Sequence, residues 1–345
     1  MCKHAAKDAS LVRGPDAILI ANMLQTMCSS RATSTMAKYE SSWLRLKSWC
    51  QNRSPPYPYL PANPLHVAMF LQSELERAQK AGLQYGIIKS ASGAIFCMHN
   101  LAGITPNPTE NGQVALVRQG AARVLGKAPV NRKEPLDLLS IKALAAQWSG
   151  PTAPLWQLSL AAFAMTAFTG FLRFSDAAVI LVKDVKFCTC EDVQYMAIFL
   201  SKRKNDQFRE GNIIYIVKGL SQQCPLTLVR RLIDSAKLQE SAPLFQGFDG
   251  WHPERGLNGR AIAYPQLRDH LVEGLSDVLD MESVEVKKFF GTHSLRSGGA
   301  TLAARKLVPE RLFQQHGGWK SKKAMFAYIK EAVDVKLSVT SALGY

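Results

Sequence analysis

No stretch of this chain reaches the ~18–20 consecutive apolar residues of a membrane span. The longest apolar segment, residues 155–168, is broken by Gln157, Ser159 and Thr166 and reads as a buried helix. The first residues lack a long apolar run ending in small residues, so no secretory signal is expected. Cysteines are few: seven, an odd number, scattered at positions 2, 28, 50, 97, 188, 190 and 224. No CxxC pair meets a His pair at zinc spacing, which argues against a structural metal and a disulfide framework alike. Cys188-x-Cys190 reads as a strand end rather than a ligand pair. Such usage suits a reducing compartment, and a soluble intracellular protein is expected. There is no internal repeat and no low-complexity tract.

Acidic residues are also scarce: 27 against 42 Lys and Arg, a net charge of +15. The excess is shared, with 14 basic and 6 acidic residues through Val130 and 28 and 21 beyond it. A chain positive in both halves fits a protein closing on a polyanion from two sides, although basic proteins that never touch nucleic acid exist. At 345 residues and 47% hydrophobic content it can build two ordinary cores.

The first 130 residues read as all helix. Residues 15–28 form a short apolar segment, and 34–50 place Tyr39, Trp43, Leu46 and Trp49 near helical spacing. Asn63 is an N-cap before Pro64, and the helix it opens runs through Phe70, Leu71 and Leu75. Residues 83–101 and 114–125 complete the set. Ser54-Pro55-Pro56-Tyr57-Pro58-Tyr59-Leu60-Pro61 can only be a loop. Ala128-Pro129-Val130-Asn131-Arg132-Lys133-Glu134-Pro135 has linker composition. The remainder is mixed: helices at 136–148, 155–168, 226–238, 261–279, 294–306 and 309–315, a last helix at 322–329 carrying Tyr328, and β-rich runs at 179–187, 193–200 and 213–217. Residues 201–212 are expected to be a hairpin loop, and 331–345 an amphipathic tail. The fold class is mainly α with a small antiparallel β-sheet.

Attack on a phosphodiester needs a nucleophile, cationic donors for the developing charge, a proton acceptor and a proton donor for the leaving alkoxide. His293 and Arg296, in Thr292-His293-Ser294-Leu295-Arg296-Ser297-Gly298-Gly299, lie one helical turn apart and can face one phosphate. Gly298 and Gly299 let a backbone come close. Taken alone the pair reads as well as a surface His and Arg. Arg173 follows Thr169-Gly170-Phe171-Leu172, where packing explains it poorly, and Asp176 is placed to orient it; a surface ion pair is the plain alternative. Lys202-Arg203-Lys204 sits at the hairpin mouth, either a DNA-contacting run or a solvated charge cluster. Trp319, in Gly317-Gly318-Trp319-Lys320-Ser321, is a packing residue or an indole N–H donor. Tyr328, nine residues on, is a core aromatic or a nucleophile.

Together and in this order, these elements resemble the tyrosine recombinase (phage-integrase-like) family, whose catalytic fold is shared with type IB topoisomerases. The resemblance covers most of 135–330 in motif order and the first domain in helical character. It implies a helical, SAM-like core-binding domain at 15–127, a linker at 128–134, a mixed α/β catalytic domain at 135–330 and a tail at 331–345 that is either a segment exchanged between protomers or a disordered or self-packed end. The two domains would form a clamp around double-stranded DNA. The resemblance assigns the two catalytic arginines to Arg173 and Arg296, the supporting acid to Asp176, and the hairpin lysine to Lys204 with Lys202 as runner-up. It assigns the His-or-Trp position to Trp319 rather than His316, and the nucleophile to Tyr328. Lys202 and Arg203 are left as DNA-binding residues. Lys204 would protonate the leaving 5′-hydroxyl, and His293 would accept the tyrosine proton or add a hydrogen bond. The hairpin has Lys-Asn where many members have Lys-Thr or Lys-Ser.

The reaction implied is DNA cleavage and rejoining through a 3′-phosphotyrosyl link, with no cofactor and no metal. The assembly implied is a homo-tetramer on two DNA sites, with no membrane partner. The Gly-Trp-Lys-Ser wording resembles recombinases of eukaryotic mobile elements, the crypton and DIRS-type groups. A eukaryotic host implies a nuclear location, any other the cytoplasm. Two rivals stand beside this reading: a topoisomerase-like relaxing enzyme, and a catalytically retired DNA-binding relative.

Overall fold

The computed structural model describes residues 15–126, 132–201, 203, 211–250, 252, 256–330 and 333–344. The chain divides into two compact units, Met1–Val130 and Asn131–Tyr345.

The first unit is helical throughout its described residues: α1 (Pro15–Ser29), α2 (Thr33–Gln51), α3 (Pro64–Lys80), α4 (Gly86–Leu101) and α5 (Gly112–Leu125). Asn63 caps α3 as expected, its side chain accepting from the Leu65 amide at 2.8 Å, with Pro64 where a missing N–H costs nothing. Asn111 does the same for α5. Helix α2 packs on α4 and α3 on α5. Their apolar stripes, including Trp43, Leu46, Phe70, Leu71, Ile95 and Met98, close one core. Glu74 is buried on α3 and is held by Arg45 of α2 and Arg77, so its charge is paired. Helix α1 keeps Ile18, Leu19 and Met23 exposed.

The second unit is built around α7 (Leu155–Thr169), whose residues 158–168 are all buried. A helix apolar all round belongs at the centre of a core. Helices α6 (Leu138–Trp148), α9 (Pro225–Ala236) and α12 (Thr292–Arg305) pack against it. Between α7 and α9 come α8 (Phe174–Ala177) and an antiparallel sheet of β1 (Val185–Cys190), β2 (Val193–Leu200) and β3 (Asn212–Val217), in that order. Ile198 pairs with both Val185 and Ile214. The sheet alternates as a one-sided sheet must: Met196, Ile198, Leu200, Ile214 and Ile216 are buried, while Phe199, Ile213, Tyr215 and Val217 face out. The rest runs through β4 (Gln246–Phe248), β5 (Leu257–Ala261), α10 (Tyr264–Leu279), α11 (Ser283–Phe289), α13 (Glu310–Gly317), α14 (Lys322–Phe326) and α15 (Val333–Ser341). Among the described residues no helix is long and apolar enough to cross a membrane.

Mainly helical architecture with small antiparallel sheets agrees with the sequence reading, and several details correct it. The run 179–187 becomes strand only at Val185, because Val182–Asp184 closes a 3₁₀ turn in which Asp184 accepts from the Leu181 amide. Residues 257–261, partly assigned to a helix, pair with β4; the helix starts at Tyr264, followed by Pro265. Helix α11 was not expected. Tyr328 lies two residues beyond α14, in a turn closed by its amide donating to Met325 O. The tail contains α15. Of the hairpin loop 201–212, only Ser201, Arg203, Gly211 and Asn212 are among the described residues. Residues 132–134, linker-like in composition, bind within the second unit: Arg132 Nη1 donates to Ala327 O at 2.9 Å and Glu134 N to Phe289 O at 2.7 Å.

Candidate active site

Helix α7 ends at Thr169, and the chain reverses through Gly170 and Phe171. Phe171 adopts a left-handed conformation, φ 49°, which a bulky residue takes only when its surroundings hold it there. Two contacts do so here: its carbonyl accepts from Arg296 Nη1, and its ring packs edge-on against Phe313 and His316. The reversal delivers Arg173 to the N-cap position of α8. Its Nη1 sits 3.6 Å from Oδ2 of Asp176, which is 1% exposed.

Arg296 comes from α12, which approaches α7 closely because of Gly298 and Gly299. A Cβ on Gly299 would lie 1.9 Å from Phe168 O, and one on Gly298 would lie 2.1 Å from Leu136 O. The backbone these glycines admit is therefore the protein's own. The crossing buries Arg296 completely. Its Nη2 donates to Gly317 O at 2.9 Å, and its Nε has no hydrogen-bond partner.

Helix α13 ends in Gly317-Gly318, after which Trp319 folds back over the site. Gly317 is required for that fold, since a Cβ there would lie 1.8 Å from the Trp319 ring. The Arg296 guanidinium lies 4.5 Å from the Trp319 ring centre and 4.6 Å from that of Tyr328, between the two aromatics. The two rings are 5.6 Å apart. Trp319 Nε1 is buried without a hydrogen-bond partner, a donor aimed at nothing the protein supplies. His316 faces the other way, with Nε2 bonded to Thr169 O at 2.8 Å.

The structure thus gathers Arg173, Asp176, Arg296, Trp319 and Tyr328 from segments up to 155 residues apart. His293 lies exposed in the first turn of α12, one turn from the buried Arg296. Lys202 and Lys204 lie outside the described residues. Arg203 departs from the sequence reading: expected as a surface DNA contact, it is 5% exposed, with Nη2 donating to His316 O at 3.4 Å. The reason is Gly318, whose missing side chain leaves the space that the Arg203 guanidinium fills. The Gly317-Gly318 pair was the one signal for this, and it does not say which side chain it admits. Burial foremost, then the neighbouring Arg173, lowers the pKa of Arg296 to about 9, with Arg203 adding to the effect and Tyr328 and Asp176 opposing it. Arg296 keeps its charge at neutral pH. Burial also lowers Arg203, where Asp176 opposes and Arg173 reinforces the shift.

No protein-family model matches the chain. Over 312 residues it is 25% identical to an integrase/recombinase XerD homolog of Selenomonas ruminantium, covering 88% of this chain and 83% of that one. Among solved structures, the Tn1549 transposon integrase in complex with transposon right-end DNA superposes with a TM-score of 0.52 at 13% identity, covering 100% of this chain and 99% of that one. The XerH recombinase bound to its difH substrate gives 0.53 at 14%, over 82% and 70%. A lambda integrase dimer bound to a core site gives 0.52 at 15%, over 91% and 95%. The structural likenesses are of fold. The relative is similar along most of the chain, and the ordered arginine, tryptophan and tyrosine motifs meet in one cluster of that fold. The chain is thus similar to tyrosine recombinases and integrases, in sequence to the XerD homolog and in fold to the DNA-bound structures.

Proposed function

We propose that this chain is a site-specific recombinase that breaks and rejoins double-stranded DNA through a 3′-phosphotyrosyl intermediate. The hydroxyl oxygen of Tyr328 attacks the scissile phosphorus, the bond to the 5′-oxygen breaks, and the tyrosine proton passes to a base, for which His293 is the candidate. Lys204 supplies the proton to the departing 5′-oxygen. Arg173 and Arg296 neutralise the non-bridging oxygens, and Asp176 orients Arg173. The Trp319 indole N–H donates to the same phosphate. Rejoining runs the steps backwards with another 5′-hydroxyl, so bond energy is conserved. The observation that carries this reading is the Arg296 guanidinium held between the rings of Trp319 and Tyr328: nucleophile, cation and neutral donor lie side by side.

The test is a nicked DNA substrate that loses its 5′-hydroxyl fragment on cleavage and so traps the protein–DNA adduct. Wild type should accumulate adduct and Tyr328→Phe none. Adduct formation by the Phe variant, or its absence in wild type on DNA drawn from a random pool, removes the mechanism.

A homo-tetramer on two duplexes is part of the proposal, and two features favour it over a monomeric topoisomerase. Helix α15 exposes Val335 and Leu337, and Leu343 follows it, also exposed. The same unit carries an apolar groove of about 480 Å³ lined by Phe171, Ile213, Tyr215, Val308, Leu312 and Phe313. A tail from one protomer docking in the groove of the next would cover both. The finer placement among crypton or DIRS-type elements, and with it a nuclear location, rests on the Gly318-Trp319-Lys320-Ser321 wording; integration of a marked element in a eukaryotic host tests it.

A further inference from the structure

Arg203 is the residue of the site that packing explains least. It belongs to a run of three basic residues beyond β2, where solvent is the ordinary destination, yet it is 5% exposed. Among the described residues its hydrogen bond is long, Nη2 to His316 O at 3.4 Å, and Nε and Nη1 are buried with no hydrogen-bond partner. Asp176 is the carboxylate it shares with Arg173 and Arg296. Burying a third guanidinium here costs free energy that one long bond to a carbonyl does not return. The chain nevertheless provides a fitted space: a Cβ on Gly318 would lie 1.9 Å from Arg203 Nη1.

The missing partner must be an anion with oxygens to accept from a guanidinium fork. We infer that Arg203 is a third phosphate-binding arginine of the active site, donating Nε–H and Nη1–H to non-bridging oxygens of the scissile phosphate. The inference rests on the proposed cleavage reaction. Charge matching supports it. Three guanidiniums against the Asp176 carboxylate leave two positive charges in excess. A phosphodiester brings one negative charge, and the five-coordinate phosphorus reached on tyrosine attack carries two. Among the guanidiniums, Asp176 and the phosphate, charge balance is thus reached only at the top of the barrier, where stabilisation accelerates the reaction, while the Lys204 charge is lost with the proton it gives the 5′-oxygen. This role is separate from that of Lys204, which transfers a proton.

The competing role is structural, Arg203 pinning the end of α13 through His316 O. A neutral scissile linkage separates the two. A cleavage site is first recovered by sequencing DNA ends bound covalently to wild type from a random pool, and is then synthesised with either a phosphate or a methylphosphonate at the scissile position. Arg203→Met should slow adduct formation on the phosphate by on the order of 100-fold. On the methylphosphonate, which has one oxygen charge fewer to neutralise, the gap to wild type should shrink to a few-fold. Without DNA the variant should melt at or above the wild-type temperature, since a buried unpaired cation has been removed. An equal gap on both linkages, or a wild-type rate on phosphate, overturns the inference. Should the Met variant fail to fold, Arg203→Gln takes its place: it removes the charge but keeps an N–H donor for His316 O, and the same narrowing of the gap is required. Absence of any wild-type adduct removes the recombinase reading itself, an outcome distinct from an active wild type with no Arg203 effect.

Discussion

Two histidines, the buried His99 of the first unit and the half-buried His316 of the second, are biased toward their neutral forms by burial. His99 Nε2 accepts from the Ala62 amide at 3.0 Å, which leaves its Nδ1–H to donate to Ile95 O at 2.8 Å. His316 Nε2 is bonded to Thr169 O, so it is the protonated nitrogen. Burial lowers the pKa of both; the bonded carbonyls pull the other way, and Arg203 and Arg296 lower His316 further. Because each folded pKa lies below the unfolded value, the unfolded chain binds more protons in acid. Stability is therefore full above the unfolded histidine range and is lost as pH falls through it toward the folded values. Lowering the pH from about 7.5 to about 5.5 should move the urea midpoint down. His99→Gln should show less of that acid loss, while starting on the order of 1 kcal/mol less stable because the Ala62 amide loses its acceptor. An unchanged acid slope in the variant contradicts the assignment. At this scale Arg173, Arg296 and Tyr328 each have a commonplace reading alone, as a surface pair or a core aromatic, and only their joint order and spacing point to chemistry. The sequence hid Arg203, because a run of three cations carries no sign of which one turns inward.

Elements were legible where a stripe or a cap announced them. Asn63-Pro64 opens α3, and the apolar run around Phe163 makes α7 the centre of its unit. Strands β4 and β5 were not, since three to five residues with glycines among them show no period. The glycines of α12 predict a close approach, and the structure identifies what approaches. At Gly299 a Cβ would overlap Phe168 O at 1.9 Å and crowd the Phe171 ring at 2.9 Å, and backbone cannot swing aside as a flexible side chain can. Gly299→Ala should therefore destabilise the protein by on the order of 2–3 kcal/mol and displace Arg296 from Phe171 O. Gly120→Ala is the control: it lies exposed inside α5 with nothing within 4 Å of the new methyl, and should stabilise by about 0.5–1 kcal/mol. Urea titration of both variants checks the pair; similar signs would mean that the crossing of α12 on α7 is not what Gly299 serves.

At the scale of the whole molecule the excess of positive charge is spread over both halves, and exposed apolar side chains occur along the chain, those of the tail, Val335, Leu337 and Leu343, among them. Charge of that distribution gives affinity for DNA with little sequence preference and with strong salt dependence. It does not assemble protomers, which requires apolar surface that becomes covered. Helix α15 is nine residues long, too short to be stable alone in water, so its exposed Val335 and Leu337 gain most if a neighbour buries them. Truncation after Lys330 removes that surface without touching Arg173, Arg296, Trp319 or Tyr328. If the tail links protomers, the truncated protein should still form a covalent adduct on a single nicked site. Its complexes with two-site DNA should sediment as smaller assemblies than those of the full chain, and strand exchange should fall by at least the order of ten-fold that ~1.4 kcal/mol of lost assembly energy represents. A truncated protein that assembles and exchanges strands like the full chain would place the subunit contact elsewhere, with the exposed apolar face of α1 the next surface to remove. Loss of adduct on the single site would instead mean that the tail supports the nucleophile within its own protomer. The ion pair of Lys330 with Glu134, which the truncation leaves in place, is positioned to hold that turn without it.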